Sequence, residues 1–239
     1  METENNANNR ISKSSLITFL SCKRKYYYDL LGYPMKLTDA LIYGTKFHEL
    51  VNQYNESLIK GIEFSKRISE EYRETFGAFK DGFLNQLYMD GYDKKPFLTE
   101  KLYEYGHFKG IIDAVYYSEI KNKYLIIDYK TVPFLNHDRF DRDKYKLELY
   151  LYCYLFMNNK KINLENINVG ISRFEQKTAK WDLNIIDMYN NEMEEALKEG
   201  ENMYQLLENT DGNIADFPQV DVKKENKVCK YCNYYDICK

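Results

Sequence analysis

What the sequence lacks narrows the field first. No run of apolar residues approaches the roughly 18 needed to cross a bilayer, and the opening Met1 to Arg10 is polar, without the apolar stretch of a secretory leader. A cytoplasmic chain with no membrane partner is expected. There is no glycine-rich phosphate loop, which argues against an ATP-driven motor, and no internal repeat or long linker. Nor is there an excess of positive charge. With a formal net charge of -3, the chain has no overall attraction for nucleic acid. Any such binding must rest on local basic patches and on bound cations that neutralise phosphate.

What is present suits one sizeable folded unit. The 239 residues are 44% hydrophobic and 30% charged, so a domain over 11–239 is expected after an Asn-rich disordered tail over 1–10. In a reducing compartment, five cysteines favour metal ligation over disulfides. Cys153, within Leu151-Tyr152-Cys153-Tyr154-Leu155, reads as a buried inert thiol. The other four sit at the extremities: Cys22 near the start, and Cys229, Cys232 and Cys238 as C-x2-C-x5-C at the end. They can build one four-sulfur centre only if the termini meet. Four thiolates suit both Zn2+ and an iron-sulfur cluster. One remote cysteine with a terminal triplet favours the cluster, because zinc ribbons more often use two C-x2-C pairs. Lys23, Arg24 and Lys25, and Lys223, Lys224, Lys227 and Lys230, are candidate basic patches or simply solvated surface. Most of the 24 tyrosines read as packing residues, although some could stack on bases.

Periodicity gives a coarse map. Ser14 or Ser15 is expected to cap a helix carrying Leu16, Phe19, Leu20 and Tyr26 to Tyr28, with Cys22 upon it. A second helix is expected from Asp39 to Lys60, with helical cover over 65–90. Three β-rich runs follow, Leu98 to Tyr105, Phe108 to Tyr117 and Tyr124 to Val132, which read as an antiparallel meander. Next come a buried helix from about Arg139 to Met157, strands at Asn166 to Phe174 and Lys180 to Ile186, and an acidic helix from Asp187 to Glu208. The fold class is therefore α/β (α+β).

Between the terminal cysteines lies a set of residues suited to phosphodiester hydrolysis, which needs carboxylates on a divalent cation and positive charge on the phosphate. Asp113 and Asp128 end apolar runs 15 residues apart, a spacing compatible with neighbouring strands. Lys130 follows Asp128 by two and so shares its face. It could orient water; acting as a general base would need a considerably depressed pKa. Asp-x-Lys alone is common on exposed strands, but Leu125, Ile126 and Ile127 make this one interior. Glu100 is a further acidic candidate or an exposed strand charge. His48 is a ligand candidate or a packed core histidine.

The ordered set resembles the RecB-like branch of the PD-(D/E)XK nucleases, particularly CRISPR-associated protein four and the AddB nuclease domain. The resemblance runs through Ser12, Ser14, Leu16, Phe19 and Cys22; Gly44, Thr45 and His48; Glu100, Gly110 and Asp113; Asp128-Tyr129-Lys130; Glu148, Leu149, Leu151 and Tyr152; and the last three cysteines. It implies a restriction-endonuclease-like core, a central mixed sheet flanked by helices, with the two ends joined by a [4Fe-4S] cluster on Cys22, Cys229, Cys232 and Cys238. It further implies Mg2+ or Mn2+ on His48, Asp113 and Asp128, Lys130 assisting attack, and Glu100, Glu148 and Tyr152 as further site residues. The substrate would be DNA, degraded as single strands by an exonuclease with 5′-to-3′ polarity. Partners would be CRISPR-adaptation proteins or a separate helicase. Glu148 stands where the family usually has Gln. A different class remains open: a metal-stabilised DNA-binding or assembly subunit with weak or no nuclease activity.

Overall fold

The computed structural model describes residues 10–136, 140–186, 188–220, 229–230 and 232–238. Nine of the ten positions of the expected tail lie outside them. The tenth, Arg10, is anchored instead, pairing with Glu104 and donating to the Gly106 carbonyl at 3.4 Å. A two-residue strand comes next, β1 (Ile11–Ser12), then α1 (Lys13–Ser21) and α2 (Lys23–Leu30). The cap of α1 is Ser12 rather than Ser14 or Ser15: its backbone is extended, and its Oγ accepts from the Ser15 N–H at 3.1 Å. The single expected helix is two. Cys22 breaks it with extended backbone, and its sulfur accepts from the Lys25 N–H at 3.4 Å as the cap of α2.

Helix α3 (Asp39–Lys60) starts where Thr38 Oγ1 accepts from the Leu41 N–H at 3.2 Å and stops at Gly61, whose φ of +66° is left-handed. The cover expected over 65–90 is α4 (Glu70–Gly77), a π-helical turn (Ala78–Phe83) and α5 (Leu84–Met89). The sheet strands are β2 (Leu98–Tyr105), β3 (Phe108–Ser118), β4 (Lys123–Val132), β5 (Ile167–Glu175) and β6 (Trp181–Ile186). Helix α6 (Arg142–Lys160) crosses from β4 to β5, α7 (Asn190–Asn209) comes after β6, and a helical turn, Tyr235–Cys238, lies near the C-terminus. Arg139 and Asp187, where the last two long helices were expected to begin, lie outside the described residues. None of the described helices is long and apolar enough to cross a membrane.

Strands β2, β3 and β4 form the expected antiparallel meander, β5 joins β4 in parallel through the α6 crossover, and β6 returns antiparallel. The sheet is therefore mixed, with apolar layers on both faces. Leu16 and Phe19 of α1, Leu149 and Phe156 of α6 and Met203 of α7 pack on Val115, Ile126 and Val169. On the opposite face, Phe47 and Val51 of α3 and Phe79 and Phe83 of the π turn pack on Tyr116, Ile127 and Phe174.

The pleat of β3 is broken at one position. Ala114 and Tyr116 face α3 and Val115 faces α6, yet Ile112 also belongs to the α6 layer. The alternation of β3 thus reverses at Asp113. Opposite, the β2–β3 ladder pairs Thr99 with Ala114 and Lys101 with Ile112 but skips Glu100, whose φ is +42°. A non-glycine residue in that region is strained and persists only where its surroundings impose it.

Gly200 provides a test of the packing between α7 and β3. Alanine normally favours a helix interior, but a Cβ here would lie 2.2 Å from Phe108 Cε1, and Phe108 is itself buried. Gly200→Ala is therefore expected to destabilise by about 1–2 kcal/mol through overpacking. Urea denaturation checks the sign; a stabilised variant would show that the contact is slack.

Candidate active site and thiol cavity

The site grows out of a parting of strands. β3 and β4 pair from Ser118 and Lys123 as far as Ala114 and Ile127, after which β4 runs on to Val132 paired with β5. Further along the same edge of β3, β1 pairs with Phe108 and Lys109. The gap between them leaves backbone groups in need of partners. Asp113 Oδ2 fills one such need, accepting from the Tyr129 N–H at 2.8 Å. A cleft of about 780 Å³ opens at this parting. Gly44 lets α3 approach it closely, since a Cβ there would stand 3.1 Å from Thr131 Oγ1.

Side chains from six elements meet in or beside the cleft: His48 (α3), Glu100 (β2), Asp113 (β3), Asp128 and Lys130 (β4), Glu148 and Tyr152 (α6), and Lys13, the first residue of α1. His48 Nδ1 lies 3.5 Å from Asp113 Oδ2 and 3.8 Å from Glu100 Oε1. One ligand atom from each of His48, Glu100 and Asp113 fits within a 4.8 Å span. Glu100, brought in by the skipped ladder position, therefore belongs to the tightest donor group. Asp128 lies outside that group and is fully buried, with its oxygens engaged by lysines. Lys13 Nζ is 2.8 Å from Oδ1 and Lys130 Nζ is 2.6 Å from Oδ2. Both contacts are close ion pairs. Both ammoniums also reach Glu148 Oε2 at 3.2 Å.

Protonation is set by these neighbours. Burial and the adjacent Asp128 push Asp113 up to about 6. Burial opposes the charge of Asp128 as well, but Lys130 and Lys13 outweigh it and hold that carboxyl at about 2. Burial likewise opposes charge on His48, Lys13 and Lys130, yet the surrounding carboxylates prevail and raise all three above their ordinary values. Lys130 is thus held as a cation, the opposite of what a general base requires. Burial, followed by the Asp128 charge, raises the Tyr152 hydroxyl far out of the working range; its ring lies 4.7 Å below the Lys13 ammonium.

Lys13 is the residue that sequence reasoning missed. It lies between the quoted Ser12 and Ser14, and no local pattern joins it to Asp128. Glu148, expected as a further site residue and as a departure from the family's Gln, faces both ammoniums.

A family model of the PD-(D/E)XK nuclease superfamily matches residues 10–239. The chain belongs to this superfamily. As a PD-(D/E)XK protein it is a metal-dependent hydrolase of the nuclease class, with DNA as its substrate. No curated protein matches the sequence. Among solved structures, a provisionally named exonuclease from Eubacterium rectale shares the fold at a TM-score of 0.54 and 14% identity, covering 100% of this chain and 93% of its own. A phage-related exonuclease from Haemophilus somnus 129PT aligns at 0.37 and 14%, over 83% of this chain and 95% of its own. A protein designated SSO0001 aligns at 0.47 and 18%, over 96% and 86%.

The donor set fits the divalent metal of the superfamily. Carboxylates with one imidazole are hard-to-intermediate ligands, apt for Mg2+ or Mn2+, and one donor atom from each of His48, Glu100 and Asp113 already converges within 4.8 Å.

At the C-terminal end of α1, Cys22, Cys229, Cys232 and Cys238 line one cavity of about 130 Å³. Gln219 Nε2 lies 2.9 Å from the Cys238 sulfur, and Tyr28 Oη donates to the Ile237 carbonyl at 3.2 Å. The nearby basic run serves this region. Arg24 donates to the Phe217 carbonyl at 2.7 Å, Lys23 lies over the Phe19 ring and Lys25 lines the cavity. Lys223, Lys224 and Lys227 lie outside the described residues. Cys153 is fully buried elsewhere, in the α6 layer.

Proposed function

We propose that this PD-(D/E)XK chain is an exonuclease that degrades single-stranded DNA from its 5′ end, with His48, Glu100, Asp113 and Asp128 disposed around a Mg2+ or Mn2+ ion and the four terminal cysteines holding a [4Fe-4S] cluster. The observation that carries the reading is the parting of β3 and β4, which gathers four carboxylates, an imidazole and two ammoniums in or beside one cleft. When bound, the divalent cation lowers the pKa of water and offsets phosphate charge. Asp113, tied to the Tyr129 N–H, keeps its second oxygen for a ligand. Lys130, two residues from Asp128 on a strand paired to β5, presents a fixed positive charge to the developing phosphorane oxygens. Glu148 keeps that ammonium from wandering.

The preference for single strands is supported by the rim. Leu41, Leu102 and Ile111 line the cleft and are roughly half exposed, an apolar surface that unstacked bases can cover and stacked duplex bases cannot. The exonuclease name of the Eubacterium rectale protein of like fold supports the exonuclease part of the reading. For the thiol cavity, the split between one remote cysteine, Cys22, and the terminal triplet Cys229, Cys232 and Cys238 supports a cluster over zinc, whose ribbons more often use two C-x2-C pairs.

The test uses linear and circular single-stranded DNA with Mn2+, each linear strand labelled at one end. Rapid loss of linear DNA from the 5′ label and survival of the circle are expected. Equal cutting of circle and line would replace the exonuclease reading with an endonuclease one.

A further inference from the structure

Asp128 and Glu148 are bridged by two ammoniums delivered from different parts of the chain. Lys130 comes from the same strand as Asp128. Lys13 comes from the opposite side of the cleft, fixed by the pairing of Ile11 and Ser12 with Phe108 and Lys109 and by the Ser12 cap of α1. Its Nζ stands 2.8 Å from Asp128 Oδ1, 3.2 Å from Glu148 Oε2 and 4.7 Å from the Tyr152 ring centre. That is the position between two carboxylates where a two-cation hydrolase would place its second ion. The donor group formed by His48, Glu100 and Asp113 is separate from it.

We infer that the site works with a single divalent cation and that Lys13 is a positioning residue whose ammonium fills, between Asp128 and Glu148, the place of a second. The inference rests on the nuclease reading for its meaning, but its measurement does not need cleavage. An ammonium can neutralise phosphate and hold Asp128, yet it cannot ionise water, so it supplies part of what a second metal would. It also repels any cation that approaches Asp128 Oδ1.

The experiment counts Mn2+ bound per chain by paramagnetic resonance of the free ion, in protein purified anaerobically with its thiol site intact. Wild type and Lys13→Arg are expected to bind one tight Mn2+. Lys13→Met, which keeps the stem over Tyr152 and removes the charge, is expected to bind two, and the dependence of cleavage on Mn2+ should steepen accordingly. Two tight ions in wild type would overturn the inference by themselves, whatever the variants do. So would a single ion in a folded Lys13→Met. Were wild type to bind one ion and Lys13→Met two while neither cut DNA, the inference would stand and the nuclease reading would fall.

Discussion

Lys130→Met is expected to slow DNA cleavage by about 10²–10³-fold, the loss usual when one fixed charge donor to a transition state is removed, while leaving the fold intact. The fold should survive because Asp128 keeps Lys13 on its other oxygen and Glu148 keeps the same ammonium, so no buried carboxylate is left unpaired. Asp128→Asn is the informative contrast. It removes the carboxylate that both lysines share and leaves two partly buried ammoniums with Glu148 alone between them, a change that costs about 2–3 kcal/mol for the lost charge-assisted contacts. Cleavage and stability should therefore fall together in Asp128→Asn and separate in Lys130→Met. Single-turnover cleavage with saturating Mn2+, beside urea denaturation of the same preparations, measures both. Near-wild-type cleavage by Lys130→Met would remove Lys130 from the chemistry.

The difference between those two variants turns on Lys13, and the reason Lys13 escaped the sequence is physical. The strand that fixes it has two residues, too few for any periodicity to register, and its partner lies 115 positions away. Glu100 was visible only as an acidic candidate, because a skipped ladder position and a φ of +42° leave no mark in composition. By contrast, β2 to β4 read clearly: their apolar runs are bounded by polar breaks, and the observed ends fall within a residue of the expected ones. Helix α3 read equally well because Thr38 and Gly61 supply a start and a stop. The misread start of the chain has its own cause. Leu16, Phe19 and Tyr26 keep a helical rhythm across Cys22 and mask the break at the cysteine. Glu148 looked anomalous against the family's Gln until Lys13 was placed beside it. The superfamily was thus legible from order and pattern, and the charge balance of the site was not.

Cys22→Ala is expected to have the largest effect on stability of any single change outside the cleft. Cys22 and Cys229 stand over 200 residues apart, and a crosslink closing a loop of that size stabilises by about 5 kcal/mol in the chain-entropy picture. The contacts between the two ends of the chain include Arg24 to the Phe217 carbonyl at 2.7 Å, Tyr28 to the Ile237 carbonyl at 3.2 Å and Tyr234 to Asp29 at 2.5 Å, each worth about 1 kcal/mol net. Without the proposed cluster, the C-terminal segment should open first, because Tyr234 is the one buried residue among those described over 229–238. Three readouts should then change together: the broad brown absorbance expected of the proposed [4Fe-4S] cluster is lost, the C-terminal segment becomes a protease target, and the denaturation midpoint falls. Cys153→Ala is the internal control. Its thiol is buried within the α6 layer and pushed up to about 12 by that burial, so it is no thiolate ligand, and the variant should keep its colour. A Cys22→Ala protein that kept both its colour and its midpoint would show that the terminal sulfurs share no centre.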